Sequence, residues 1–90
     1  MPRPRLRRRI RGNPSSSYFK PAGIRMIDLE ESELSLEEFE AIRLIDFQNL
    51  PQEQACKQMQ ISQPTLSRIL TSARKKIADA IINGKAIRIN

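Results

Sequence analysis

From Leu36 onward the apolar residues of this chain return every three or four positions. Leu36, Phe39, Ile42 and Ile45 form the first series. Ser35, with Glu38 three residues later, supplies a capping box in front of it: the serine hydroxyl accepts from an orphan backbone N–H and the glutamate reaches back to the cap. This predicts a helix ending near Asn49. A second, short helix is predicted from about Pro51 to Met59 with Ala55, Cys56 and Met59 inward, then a turn at Gln60 and Ile61. Ser62 is placed as the next N-cap, and Pro64 falls in the first turn, where a missing N–H costs little. Leu66, Ile69, Leu70, Ala73, Ile77 and Ile81, with Ile82 at the margin, carry a third helix to Asn83 before Gly84 ends it.

Ahead of these helices the pattern changes. Ile24 to Leu29 alternates apolar and polar residues, as does KAIRIN after Gly84, and each predicts a short strand. The two could pair with each other, or the terminal one with another subunit. Pro14 to Gly23 is rich in turn formers but carries Tyr18 and Phe19, which could fold back and fix where the N-terminal segment leaves the domain. Residues 1–13 combine Pro with clustered Arg and offer little to bury, so they read as a disordered basic arm. The expected fold is mainly α: arm 1–13, a turn-rich lead-in over 14–34 with a short strand, and a helical domain over 35–90. That domain holds a helix-turn-helix motif at 51–72 and a terminal strand at 85–89.

Ninety residues fit one small domain. Three Phe, one Tyr and no Trp leave the packing to Leu and Ile. No apolar run approaches membrane-spanning length, and a single Cys with no His removes the usual zinc-finger and imidazole-base solutions. No metal, cofactor or membrane is expected, and a reducing cytoplasmic setting is the simplest reading. The net charge of +6 hides a stronger pattern. Residues 1–20 hold seven basic and no acidic side chains, residues 28–53 nine acidic against Arg43 alone, and residues 54–90 seven basic against Asp79 alone. Basic ends around an acidic middle would orient the molecule toward a polyanion.

The motif QEQACKQMQISQPTLSRIL (Gln52 to Leu70) gives that polyanion a candidate identity. Two short helices across a tight turn, the second opening with polar side chains, match a reader of the DNA major groove. With Leu66, Ile69, Leu70 and Ala73 inward, Gln63, Thr65, Ser67, Arg68 and Ser72 remain for the groove. Gln63 can pair with an adenine edge and Arg68 with guanine, so these are the candidate base readers. Thr65, Ser67 and Ser72 are candidate backbone contacts. Arg74, Lys75 and Lys76 could reach phosphates at the groove rim, Lys75 first because it lies two turns beyond Arg68 on the same face. In the arm, Arg3, Arg5, Arg7, Arg8, Arg9 and Arg11 suit the phosphate backbone or a narrow minor groove. The alternative throughout is a solvated polar surface.

The segments MPRPRLRRRIRG, YFKPAG, LSLEEFEAIRLIDFQNL and ISQPTLSRILTSARKKIADAIINGKAIRI together resemble the UPF0251 or DUF134 family of small proteins expected to bind DNA. The motif itself is similar to the fourth region of sigma-70-type factors. The resemblance implies a DNA-binding, regulatory role without naming an operator. Family members are often longer, some with a cysteine-rich or nitrogenase-accessory-like part after the basic domain, so this chain reads as a short member or a piece of one. Three residues depart from the family pattern: Pro51 stands where Ser or Thr caps the motif's first helix, leaving Asn49 or the Leu50 backbone to serve; Gln60 stands where a turn Gly is usual, at a strain cost if φ is positive there; and Gln63 stands where a basic residue is common.

The acidic segment 30–46, with Glu37, Glu38, Glu40 and Asp46 on the first helix, is a candidate surface for a protein partner, although acids near a helix N-terminus are favourable in themselves. No nucleophile, histidine or phosphate loop adjoins them, so no enzyme activity is expected. Cys56 reads as a buried hydrophobe. The expected function is sequence-specific binding of double-stranded DNA and transcriptional regulation; a homodimer would read adjacent half-sites, but Ile77, Ile81 and Ile82 could equally be consumed by the fold, which leaves the oligomeric state open. The alternatives are a non-specific DNA or RNA polyanion binder led by the arm, and a protein-interaction adaptor.

Overall fold

The computed structural model describes residues 10–90. Three helices and a three-stranded sheet follow the order β1 (Tyr18–Phe19), a 3-10 turn (Met26–Asp28), β2 (Glu31–Leu34), α1 (Leu36–Ala41) continued by a π-helical segment (Ile42–Phe47), α2 (Gln52–Met59), α3 (Gln63–Asn83) and β3 (Ala86–Ile89). The fold is mainly α with short β pieces.

The capping box forms as the spacing predicts. Ser35 Oγ accepts from the Glu38 N–H at 3.1 Å, and Glu38 Oε1 accepts from the Ser35 N–H at 2.8 Å. The helix that follows loosens after Ala41: the Gln48 N–H donates to the Arg43 carbonyl, five residues back, and the Leu50 N–H to the Leu44 carbonyl. The helix thus ends near Asn49, as the spacing predicts, but through a wider last stretch than an α-helix. The wide turn ends at Asn49, whose φ of 60° lies in the left-handed region. Neither Asn49 nor Leu50 caps α2; Pro51 itself is the N-cap and makes no side-chain bond there.

Between α2 and α3 the chain turns through Gln60, again left-handed at φ 60°, where the N–H reaches back to the Lys57 carbonyl. Ser62 then caps α3 by accepting from the Thr65 N–H, with Pro64 in the first turn, and Gly84 ends the helix at φ 68°. Ala41, Leu44, Ala55, Cys56, Met59, Leu66 and Leu70 form one buried cluster, with Ile61 packed against it just past the turn. Small Ala55 and Cys56 are where large residues would hold two helices apart. The inward series of α3 stops earlier than its periodicity predicts: Ile81 and Ile82 are 70% and 78% exposed, and Ala80 closes the buried stripe instead.

The sheet runs β1-β3-β2, with the terminal strand in the middle. β3 pairs antiparallel with β1 (Tyr18 opposite Arg88) and parallel with β2 (Glu31 opposite Ala86). The strand expected over Ile24–Leu29 is absent: Ile24, Met26 and Ile27 are exposed, so their alternation buries nothing. Glu31–Leu34 pairs instead because Ser32 and Leu34 turn inward, the Ser32 hydroxyl donating to the Lys76 carbonyl of α3 at 3.0 Å. Tyr18 does fold back. Its hydroxyl donates to Glu31, and the Arg88 guanidinium lies 4.7 Å from its ring centroid.

Candidate nucleic-acid interface

The first turns of α3 are set on the protein surface by their buried side. Leu66, Leu70 and Ala73 face the core, which leaves Gln63, Ser67, Arg68, Thr71 and Lys75 exposed. Ser67, Arg68, Thr71, Ser72 and Lys75 line one shallow depression of about 460 Å³. The row joins two cations seven residues apart through hydroxyls, a chemistry suited to phosphate oxygens and base edges. Thr71 was absent from the residues singled out in the sequence; its position between Arg68 and Lys75, three and four residues away on a helix, is the signal that would have found it.

The other predicted contacts divide. Thr65 is partly buried, and its Oγ1 accepts from Ser62 at 2.9 Å, which ties it to the cap. Ser72, Arg74 and Lys76 turn toward α1 and its continuation. Ser72 Oγ donates to Glu38 at 2.6 Å and Lys76 Nζ to the same carboxylate at 2.9 Å. Arg74 makes a two-armed pair with Asp46 at 2.7 and 3.1 Å. These three are thus engaged within the fold, whereas Gln63, Ser67, Arg68 and Thr71 make no side-chain hydrogen bond or ion pair with a described residue. The seven-residue spacing from Arg68 already set Lys75 ahead of its neighbours; what it did not show is that Arg74 and Lys76 are taken up by Asp46 and Glu38.

The same contacts revise the acidic segment. Glu38 is buried, which opposes its ionisation, but the Ser72 hydroxyl, the Ser35 N–H and the Lys76 ammonium outweigh burial and hold its carboxyl below the usual range. Glu40, fully buried, is likewise opposed by burial yet lowered by the Arg43 guanidinium and by the N–H groups of Arg11 and Gly12. Glu31 accepts from Arg88 and Tyr18, and Asp46 holds Arg74. As a protein-binding surface the segment therefore offers fewer uncommitted carboxylates than its sequence suggests. Among the arm residues, Arg3, Arg5, Arg7, Arg8 and Arg9 lie outside the described residues, and Arg11 marks the point where the chain meets the domain.

Away from the opening turns of α3, an apolar cleft of about 460 Å³ opens between the sheet and the helices, lined by Phe19, Leu34, Phe39, Ile42, Ile77 and Ile87 among others, none of the described lining residues being charged. It does not suit a polyanion. Cys56 is buried in the α2 crossing, and burial pushes its thiol pKa up. Among the described residues, no helix is long and apolar enough to cross a membrane.

Comparison with known proteins supplies kinship without an activity. The family model described as a protein of unknown function, DUF134, matches residues 1–90. A UPF0251 protein of Caldanaerobacter subterraneus subsp. tengcongensis is 55% identical over 89 residues, which cover 99% of this chain and 75% of the relative. One from Dehalococcoides mccartyi strain BAV1 is 57% identical, covering 99% and 76%, and one from Moorella thermoacetica is 53% identical, covering 99% and 60%. No solved structure matches the chain significantly. With the family model spanning all 90 positions and relatives above half identity, the chain belongs to the UPF0251 (DUF134) family.

Proposed function

We propose that this protein binds double-stranded DNA in a sequence-specific manner and regulates transcription in the cytoplasm. The observation that carries the reading is the exposed row Gln63, Ser67, Arg68, Thr71 and Lys75 on the opening turns of α3, four of whose side chains lack a partner among the described residues while the neighbouring cations Arg74 and Lys76 are paired with carboxylates of α1 and its continuation. In a groove, Gln63 and Arg68 read bases, and Ser67, Thr71 and Lys75 hold phosphates. The Arg-rich arm adds backbone or minor-groove contacts. One module covers little DNA, so two copies reading adjacent half-sites are favoured, with exposed Ile81 and Ile82 as the apolar surface available for self-association.

The test is selection of bound duplexes from a random pool at physiological salt, repeated with Gln63→Ala and Arg68→Ala combined. An enriched motif that changes in the double variant supports the reading. Retained, salt-sensitive binding with no enrichment replaces it with a non-specific polyanion binder, and no binding at low salt leaves the adaptor reading.

A further inference from the structure

The buried carboxylate of Glu40 holds something the helices do not supply. Its oxygens accept four hydrogen bonds: from the main-chain N–H of Arg11 and of Gly12, each at 3.1 Å, and from Arg43 Nε and Nη2 at 2.9 and 2.8 Å. Two of the four donors are the backbone of the chain where it emerges from the Arg-rich arm. The approach is close: a Cβ on Gly12 would overlap Nε and Cδ of Arg43 and would have to push that side chain off Glu40.

Two residues earlier on α1, Glu38 grips α3 through Ser72 and Lys76. Positions two apart on a helix point about 200° around its axis from one another, that is, to nearly opposite sides. So α1 lies between the root of the arm and the middle of α3, and holds each with its own buried carboxylate. A buried ion pair is a weak source of stability compared with well-packed apolar side chains, whereas it fixes geometry well. Main-chain donors add to this, because they tie down the path of the chain regardless of side-chain identity.

We propose that Glu40, with Arg43 and Gly12, forms a clamp that fastens the chain to α1 at Arg11 and Gly12, and that this anchoring lets the arginines preceding them in the sequence act together with α3 on one DNA duplex. The inference rests on the DNA-binding reading. Glu40 and Arg43 are positioning residues and touch no DNA. Holding the arm's root raises the effective concentration of its arginines at the duplex once α3 has docked.

The experiment is a two-by-two comparison in the whole 90-residue chain, with a labelled mixed-sequence DNA duplex at low salt as the probe. One axis is Gly12→Ala. The other is the arm made neutral by changing Arg3, Arg5, Arg7, Arg8 and Arg9 to Gln. Circular dichroism checks folding, and amide exchange at Gly12 reports whether the clamp has opened. The clamp predicts that Gly12→Ala speeds that exchange and weakens binding roughly tenfold when the arm is charged, and has no further effect when it is neutral. Equal weakening in both backgrounds, or none in either, overturns the clamp and leaves the DNA reading standing. If the unaltered chain does not bind the duplex at all, the DNA reading itself fails and the clamp's role falls with it. Should Gly12→Ala not fold, Arg43→Lys, which keeps the charge but loses the two-armed geometry, takes its place on that axis.

Discussion

The Ser72 hydroxyl on α3 donates a 2.6 Å hydrogen bond to the Glu38 carboxylate on α1. That bond changes the role open to Ser72: a hydroxyl that reads as a DNA contact from helical spacing is a strut between two helices. Ser72→Ala is therefore expected to lower unfolding free energy by about 2 kcal/mol, the usual worth of a hydrogen bond to a charged group, while leaving the selected DNA motif unchanged. Urea denaturation gives the first quantity and duplex selection the second; altered base preference with unchanged stability would contradict the assignment.

Arg68 and Lys75 share one exposed depression but differ in what they can recognise. A forked guanidinium matches a base edge, and a point-like ammonium matches a phosphate. Arg68→Ala should relax preference at one base pair at a cost of about 1–3 kcal/mol, and Lys75→Ala should weaken all sequences alike and reduce the salt slope by about one. Binding titrations across a salt series separate the two.

Gln60 occupies the left-handed region at φ 60° in the turn before α3. A side chain costs roughly 1–2 kcal/mol there that glycine avoids, although glycine gives back part of it through a freer unfolded chain. Gln60→Gly should stabilise the protein by about 0.5–1 kcal/mol in denaturant titration, whereas a β-branched residue at this position should destabilise it.

Glu38 and Glu40 are both held below the ordinary glutamate value of 4.5. Below that value the unfolded chain takes up protons that the folded one still refuses, so their contribution is complete above about pH 5.5 and is lost as pH falls through 4.5 and then through the lowered native values. Stability measured from pH 7 to pH 3 should decline over that acid range, and Glu38→Gln should start lower and decline less. A pH-independent difference between the two proteins would refute the linkage.

Cys56 is buried with a raised thiol pKa. Little thiolate and no access mean that alkylating reagents should leave it unmodified in the native protein and label it at once in denaturant. Native labelling followed by mass spectrometry decides this, and rapid native modification would place the thiol at the surface.

The local elements were legible in the chain itself. The Ser35–Glu38 box, the Ser62 cap with Pro64 behind it and the Gly84 stop are short-range hydrogen-bond and torsional signals, and each marks an element end where expected. The inward faces of α2 and the opening of α3 followed because burial of Ala55, Cys56, Met59, Leu66 and Leu70 is a periodic demand written along one helix. The strands were less legible. Ile24–Leu29 alternates without a layer to cover it, while Glu31–Leu34 earns its place through Ser32 and Leu34 meeting α3 and through pairing with β3, some fifty residues away. Only tertiary structure decided which charges remain available. Arg74, Lys75 and Lys76 are consecutive and equivalent by composition, yet Asp46 and Glu38 reach the first and last and not the middle one, because coulombic pairing depends on which faces of α1 and α3 meet. The same holds for Glu40, one acid among many in the sequence and, once folded, the buried group to which the arm's root is fastened.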